Sequence, residues 1–277
     1  MFAIASICSI RDHNQAVPIK LFLDGEAADV DQLAKQLGFS VVRLSGDRYG
    51  EHVRSRLLKI HAIANTSFER VLYLDADTLV LDDVAKILTQ LFVPLDADVF
   101  MLLRRPRLIS IWDYGRLHFT DPTIDKEEIV RLVSTTFGLP LTSVDLTRLN
   151  CWNGGVIFGC RHTLEAMSAR WLAAYQRMIS APTSGAFVPN DQLSLWLTLW
   201  KAGNAIRVGE LPLCWNFMPG HVLGLKPNSG EIDNDALASA CVLHLGPNKR
   251  DQWALDRIAT TLARHDAQKT FEAQLCY

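Results

Sequence analysis

Val71-Leu72-Tyr73-Leu74-Asp75-Ala76-Asp77 decides how the chain is read. Four apolar residues in a row suit a short strand covered on both faces of a sheet. The run stops at two carboxylates separated by one alanine. In extended chain, residues i and i+2 point to the same side, so Asp75 and Asp77 can face one point just beyond the carboxyl end of the strand. Like charges held that close repel and raise one another's pKa. A divalent cation resolves the conflict, and hard carboxylate oxygens suit Mg2+ or Mn2+. The carboxyl ends of strands are also where open α/β sheets place ligands. An Asp-x-Asp triplet alone is common, and the plainer reading has Asp77 capping the following turn with Asp75 incidental. The apolar strand before the triplet and Thr78-Leu79-Val80-Leu81 after it favour a site.

Upstream, Glu51–Asn65 places Val53, Leu57, Ile60 and Ala64 on one stripe and predicts an amphipathic helix. Ser40–Leu44 predicts a strand, Asp29–Leu37 a helix stopped by Gly38, and Ile19–Leu23 a strand ending at Asp24-Gly25. Residues 2–12 fit two periods. Ile4, Ile7 and Ile10 fall on one helical face, whereas Phe2, Ile4, Ser6 and Cys8 alternate as in a strand; helix is the favoured reading.

Downstream, Leu81–Leu91 predicts a helix and Asp98–Leu103 a strand. The stretch 104–150 lacks a period, carries the basic cluster Arg104-Arg105-Pro106-Arg107 and holds a helix at Lys126–Phe137. It reads as an insertion packed over the site, where acceptor choice would reside. Beyond it, a strand at Gly155–Cys160 follows a turn at Asn153-Gly154. Helices at Leu164–Ile179 and Asp191–Ala202 flank the loop Ser180–Pro189, with Gly203 ending the second. Strands at Ile206–Leu211 and Val242–Leu245 precede a helix from about Gln252 to Ala267. This alternation predicts an α/β fold with a mostly parallel sheet flanked by helices. Residues 1–277 are expected to form a single domain with its insertion at about 104–150.

The 277 residues suffice for a sizeable core. Apolar residues at 49% and charged residues at 21% exclude global disorder. A net charge of −2 gives no broad positive field, so nucleic acid is not an expected partner. Cys8, Cys151, Cys160, Cys214, Cys241 and Cys276 form no Cys-x-x-Cys pair and read as reduced core thiols of a cytoplasmic protein. No apolar run is long enough to span a bilayer, and the apolar opening lacks the basic start of a signal peptide.

Lys59 through Leu88 resembles the Asp-x-Asp region of the GT-A glycosyltransferases, most of all family 8 (the glycogenin and bacterial galactosyltransferase group) and related bacterial nucleotide-diphospho-sugar transferases. Three further stretches occur in that family's order. Asn153-Gly154-Gly155-Val156-Ile157-Phe158 resembles its Asn-x-Gly-Val strand, Asn190-Asp191-Gln192 its Asp-Gln helix start, and His244-Leu245-Gly246-Pro247-Asn248-Lys249 its late His…Gly…Lys loop. The resemblance implies a GT-A fold and a metal site of Asp75, Asp77 and His244 holding Mn2+ (or Mg2+) against a donor diphosphate. It implies that Lys59, Asn153, Gly154, Gly155, Gly246 and Lys249 bind the donor. Asp191 would bind sugar or acceptor hydroxyls, and Gln192 would lie beside the anomeric carbon. Trp112, Trp152, Trp215 and Trp253 could stack on sugars, although core packing is the commoner role.

The sequence departs from the family at three places. Ala3–His13 aligns with the helix that follows the family's first strand, so that strand is expected to be missing. His244 and Gly246 are one residue apart where the family more often has two, and Arg250-Asp251-Gln252-Trp253 replaces the usual Pro-Trp after the lysine. The leading expectation is a metal-dependent, retaining hexosyltransferase that uses a nucleotide-sugar donor and a hydroxyl acceptor, working in the cytoplasm near the inner face of the membrane. The alternative is a catalytically weak or inactive relative that binds sugar or a partner. A nucleotidyltransferase would carry a Gly- and Lys/Arg-rich loop near its N-terminus, which this sequence lacks.

Overall fold

A computed structural model describes residues 1–44, 49–87, 97–103, 118–219 and 237–265. In chain order its elements are α1 (Phe2–His13), β1 (Ile19–Asp24), α2 (Ala28–Leu37), β2 (Phe39–Leu44), α3 (Glu51–Ala64), β3 (Arg70–Leu74), β4 (Thr78–Val80) and β5 (Val99–Leu103). There follow α4 (Lys126–Phe137), α5 (Ser143–Thr147), β6 (Trp152–Cys160), α6 (Arg161–Ser180), α7 (Asp191–Ala202), β7 (Val208–Glu210), β8 (Val242–His244) and α8 (Gln252–Arg264). The chain divides into two compact units, one of Met1–Gly46, Leu74–Leu95 and Pro212–Tyr277, the other of Asp47–Tyr73 and Asp96–Leu211.

In the first unit, residues 2–13 are a helix, the favoured of the two readings. Every residue from Ile4 to Arg11 is buried, the pattern of a helix enclosed on all sides. Its two buried serines are satisfied. Ser9 Oγ donates to Ser6 O at 2.7 Å and accepts from Val80 N at 2.9 Å, and Ser6 Oγ lies 3.2 Å from Thr78 Oγ1. Arg11 is buried at 6% exposure yet fully engaged. Its guanidinium donates to the carbonyls of Leu37 (2.7 Å), Gly38 (2.7 Å), Asn14 (3.1 Å) and Val17 (2.8 Å). It thereby closes the carboxyl end of α2, where Gly38 at φ 65° supplies the left-handed residue. β1 and β2 pair in parallel from Ile19↔Phe39 to Asp24↔Leu44. β4 pairs antiparallel with β8.

The predicted helix Leu81–Leu91 is corrected at its start. Leu81–Asp83 is not helical; Asp83 Oδ1 accepts from Ala85 N at 2.8 Å to open a turn at Val84-Ala85, and the helix is under way at Lys86-Ile87. The rest of that prediction, at 88–91, lies outside the described residues, as do Arg104-Arg105-Pro106-Arg107, Trp112, Cys276 and the end of the last helix at 266–267.

In the second unit, four strands run in the order β3-β6-β5-β7. β5 pairs antiparallel with β6 and parallel with β7. The α/β class holds, with parallel pairing at β1–β2 and β5–β7 and antiparallel pairing at β4–β8 and β5–β6. The sequence rule assumes that each strand returns through one covering helix; between β5 and β6 the chain passes through α4 and α5 instead and re-enters in the opposite sense. Among the described residues β3 stands at the edge of its sheet and only its Val71 is buried, so it is not the doubly covered strand expected from its composition. The predicted turn at Asn153-Gly154 lies inside β6, where the register jumps from Met101↔Ile157 to Leu102↔Asn153, forming a bulge. α6 and α7 pack Trp171, Tyr175 and Trp196 into the core. Trp171 Nε1 donates to Ser194 Oγ at 3.0 Å and Trp196 Nε1 to Trp152 O at 2.7 Å. The predicted helices Lys126–Phe137 and Asp191–Ala202 form with those bounds, each capped by the residue before it: Asp125 accepts from Glu128 N for α4, and Asn190 from Gln192 N for α7.

Replacing Arg11 with leucine keeps bulk but strands four carbonyls. Arg11→Leu is expected to destabilise the fold by on the order of 3 kcal/mol, read as a lowered urea midpoint, whereas Asp29→Asn on the same unit should shift it little.

Candidate functional site

The first unit builds its cluster from the β4–β8 ladder. β4 starts immediately after Asp77 and β8 ends at His244, and the register pairs Thr78 with His244. One step further, Leu245 N donates to Asp77 O at 2.9 Å. Thr78 N and Oγ1 both donate to Asp75 O, at 3.2 and 2.9 Å, and close the turn that carries both carboxylates. His244 Nε2 consequently lies 3.5 Å from Asp77 Oδ1 and 4.0 Å from Asp75 Oδ2. One ligand atom from each of the three residues falls within 4.8 Å of the others. On its far side the imidazole places Nδ1 3.0 Å from Asn216 Oδ1.

Gly246 follows at φ 49°, a conformation that favours glycine. The 3-10 turn Gly246–Arg250 brings the chain back so that Lys249 Nζ sits 3.4 Å from Asp77 Oδ2 and 5.9 Å from the centre of the Phe2 ring. Burial would raise the Asp77 pKa. The hydrogen bond to His244 and the charges of His244 and Lys249 outweigh it and hold the carboxyl at about 2. Two carboxylate oxygens and one imidazole nitrogen within 4.8 Å of one another fit a divalent cation of the Mg2+ or Mn2+ kind.

The second unit assembles a separate cluster from α3, α7 and the β6 bulge. Asn190, not Asp191, caps α7, which leaves the Asp191 carboxylate for other partners. Lys59 Nζ lies 3.2 Å from Asp191 Oδ2 and Arg56 Nε 3.6 Å from Asp191 Oδ1. Burial pushes the Asp191 carboxyl up, and the two cations overcome it and keep the pKa below the ordinary carboxylate value. Gln192 Oε1 accepts from Gly154 N at 3.3 Å. Lys59, Gly154, Asp191 and Gln192 are thus brought together. Asn153 and Gly155 belong to the bulge itself: Asn153 Oδ1 accepts from Gly155 N at 2.7 Å. Among the tryptophans singled out above, Trp152 and Trp215 are buried and Trp253 packs against the core of the first unit.

Sequence reasoning missed two residues. Arg56 stands three positions before Lys59 on α3, a spacing that puts both on one helix face, so pairing the two cations with Asp191 was within reach. Asn216 carries no such signal, because its link to His244 exists only in the folded chain.

The acid side of the stability profile should carry the mark of Asp77. Its folded pKa lies below the unfolded value of 3.8, so its contribution is full above that pH and is lost as pH falls through about 2. In metal-free protein, Asp77→Asn is expected to flatten the fall in stability between those limits, by on the order of 2 kcal/mol, measured by urea unfolding at stepped pH. A methyl at Gly154 would meet Gln192 Nε2 at 3.1 Å, Leu195 Cδ2 at 3.3 Å and Lys59 Nζ at 3.5 Å. Gly154→Ala is expected to displace the Gln192 amide and cost about 1–2 kcal/mol, visible as a lowered melting temperature.

Residues 1–91 match the sequence profile of the family described as "Mannosyltransferase putative". No curated protein sequence matches the chain. Among solved structures, it is similar to the galactosyltransferase LgtC in complex with donor and acceptor sugar analogues, at 15% identity over 95% of this chain and 91% of LgtC with a TM-score of 0.53. The glycosyltransferase GlyE of Streptococcus pneumoniae TIGR4 aligns at 16% identity over 88% of this chain and 50% of its own, with a TM-score of 0.48. Mouse xyloside xylosyltransferase 1 aligns at 12% identity over 89% and 92%, with a TM-score of 0.47. The chain spans about half the length of GlyE. The likeness to LgtC bears on the fold alone, and by it the chain has the fold of the GT-A glycosyltransferases.

Proposed function

We propose that the chain is a metal-dependent glycosyltransferase of the family 8 kind, which moves a hexose from a nucleotide-diphosphate sugar to an acceptor hydroxyl with retention at the anomeric carbon. The observation that carries the proposal is the gathering of Asp75, Asp77 and His244 around one point. The mannosyltransferase profile over residues 1–91, which contain both aspartates, supports transfer chemistry and makes mannose the first sugar to try.

Asp75, Asp77 and His244 would hold the ion, which when bound supplies positive charge against the donor diphosphate. The remaining work falls to the chain. Lys249 already faces an anion, Asp77, at 3.4 Å; beside the donor it would leave that carboxylate and stabilise charge on the departing nucleoside diphosphate. Gly246 gives the backbone the turn that returns Lys249 to this position. On the second unit, Lys59 would bind donor phosphate or sugar. Asp191, kept ionised by Lys59 and Arg56, acts only as a hydrogen-bond acceptor and suits sugar or acceptor hydroxyls. Gln192, tied to Gly154 N, would present its amide beside the anomeric carbon. Asn153, Gly154 and Gly155 would line the sugar pocket, where absent side chains allow close approach. No helix among the described residues is long and apolar enough to cross a membrane. Work at the inner membrane face, on an acceptor hydroxyl whose carrier is open, stays part of the proposal.

Thermal unfolding with Mn2+ and a panel of nucleoside diphosphates tests the proposal. A ligand at 100 times its Kd should add about 2.7 kcal/mol to stability. The expected result is a rise in Tm that needs metal and nucleotide together and disappears in Asp77→Ala. A flat response across the panel would instead favour a sugar- or partner-binding module without transfer.

A further inference from the structure

A neutral imidazole offers one lone pair and one N–H, and the partner of one nitrogen decides which form the other takes. In His244, Nε2 faces the two carboxylates, at 3.5 Å from Asp77 and 4.0 Å from Asp75. Nδ1 faces the Asn216 side-chain oxygen at 3.0 Å. An amide oxygen only accepts, so this contact keeps a hydrogen on Nδ1 whether the ring is charged or neutral, and Nε2 is the nitrogen left to give up its proton beside the carboxylates and bind a cation. The opposite amide orientation would offer an N–H to Nδ1, drive the hydrogen onto Nε2 and point an N–H at the carboxylates. The site would then be closed to a cation. One side-chain amide therefore separates two states of the cluster.

The surroundings fix the residue that carries that amide. Asn216 is the last residue of a 3-10 turn, Leu213–Asn216, and is 0% exposed between buried Trp215 and Phe217. The backbone on both sides of it is laced to β8. Cys241 N donates to Cys214 O at 2.7 Å, Phe217 N to Val242 O at 2.9 Å, and His244 N to Phe217 O at 2.8 Å. Asn216 and His244 therefore move as one piece, and the imidazole is presented to Asp75 and Asp77 in a set orientation.

We infer that Asn216 is a positioning residue for the divalent cation, acting through His244 by fixing Nδ1–H and leaving Nε2 to bind. The inference rests on the metal-dependent reading above. Outer partners of this kind typically change metal affinity about 10–100-fold.

Two readouts on the full chain test it: Mn2+ titration by calorimetry, and nitrogen NMR of the His244 imidazole in metal-free protein at alkaline pH. Wild type and Asn216→Asp, which keeps an acceptor, are expected to show the Nδ1–H form and to bind Mn2+ with similar or greater affinity in the aspartate variant. Asn216→Leu removes the acceptor at similar volume. It is expected to mix the two tautomers and weaken Mn2+ binding by 10–100-fold; Asn216→Ala gives the same two readings should the leucine variant not fold. Unchanged tautomer in Asn216→Leu or Asn216→Ala overturns the inference even where Mn2+ still binds. Tautomer control by residue 216 without Mn2+ binding in wild type upholds the Asn216–His244 coupling and sinks the metal reading, so the two failures are separable.

Discussion

The antiparallel ladder between β4 and β8 is the constraint on which the metal cluster depends. Each strand has three residues and would not persist alone. Paired, they place the residue before one strand beside the last residue of the other, so that Asp77 and His244 meet. The ladder is held in turn by its neighbours. α1 contributes two buried serines that satisfy Thr78 and Val80, and the segment through Asn216 and Phe217 is bonded to β8. A slip of one residue would turn every side chain of the strand to the opposite face and separate the imidazole from the carboxylates. Leu79, Val80, Leu243 and Leu245, all buried, resist that slip.

The second cluster obeys a different rule. Asp191 is a carboxylate inside protein, which is tolerable only with compensation. Lys59 and Arg56 provide it from one face of α3, with Lys59 Nζ beside Gly154. The capping duty falls to Asn190 by its place in the chain: it stands at the N-cap, and Asp191 is already the first residue of the helix.

Much of this was legible along the chain where local chemistry decides structure. Helices α4 and α7 start at capping residues and stop at Gly138 and Gly203, and their bounds could be read directly. The pattern of Ile4, Ile7 and Ile10 pointed to the right form for residues 2–13. What escaped depends on distant partners. β4 exists because β8 is beside it, and nothing in Thr78-Leu79-Val80 announces that. The bulge in β6 was read as a turn because Asn-Gly has the same local preferences in both. Edge position made β3 half-exposed despite its apolar composition, since coverage is a property of neighbours. In the cluster, the residues named by motif fell together, while Arg56 and Asn216 act through other side chains and leave no motif.

The first unit is stitched from three separate stretches of chain, and its last strand arrives near residue 244. During synthesis, α1 therefore emerges long before the partners that cover it. A helix whose apolar surface is meant to be enclosed must wait while most of the polypeptide is still being made, exposed to aggregation meanwhile. Long-range closure of this sort is slow, so the centre that would bind an ion can form only once the chain has been made past residue 244.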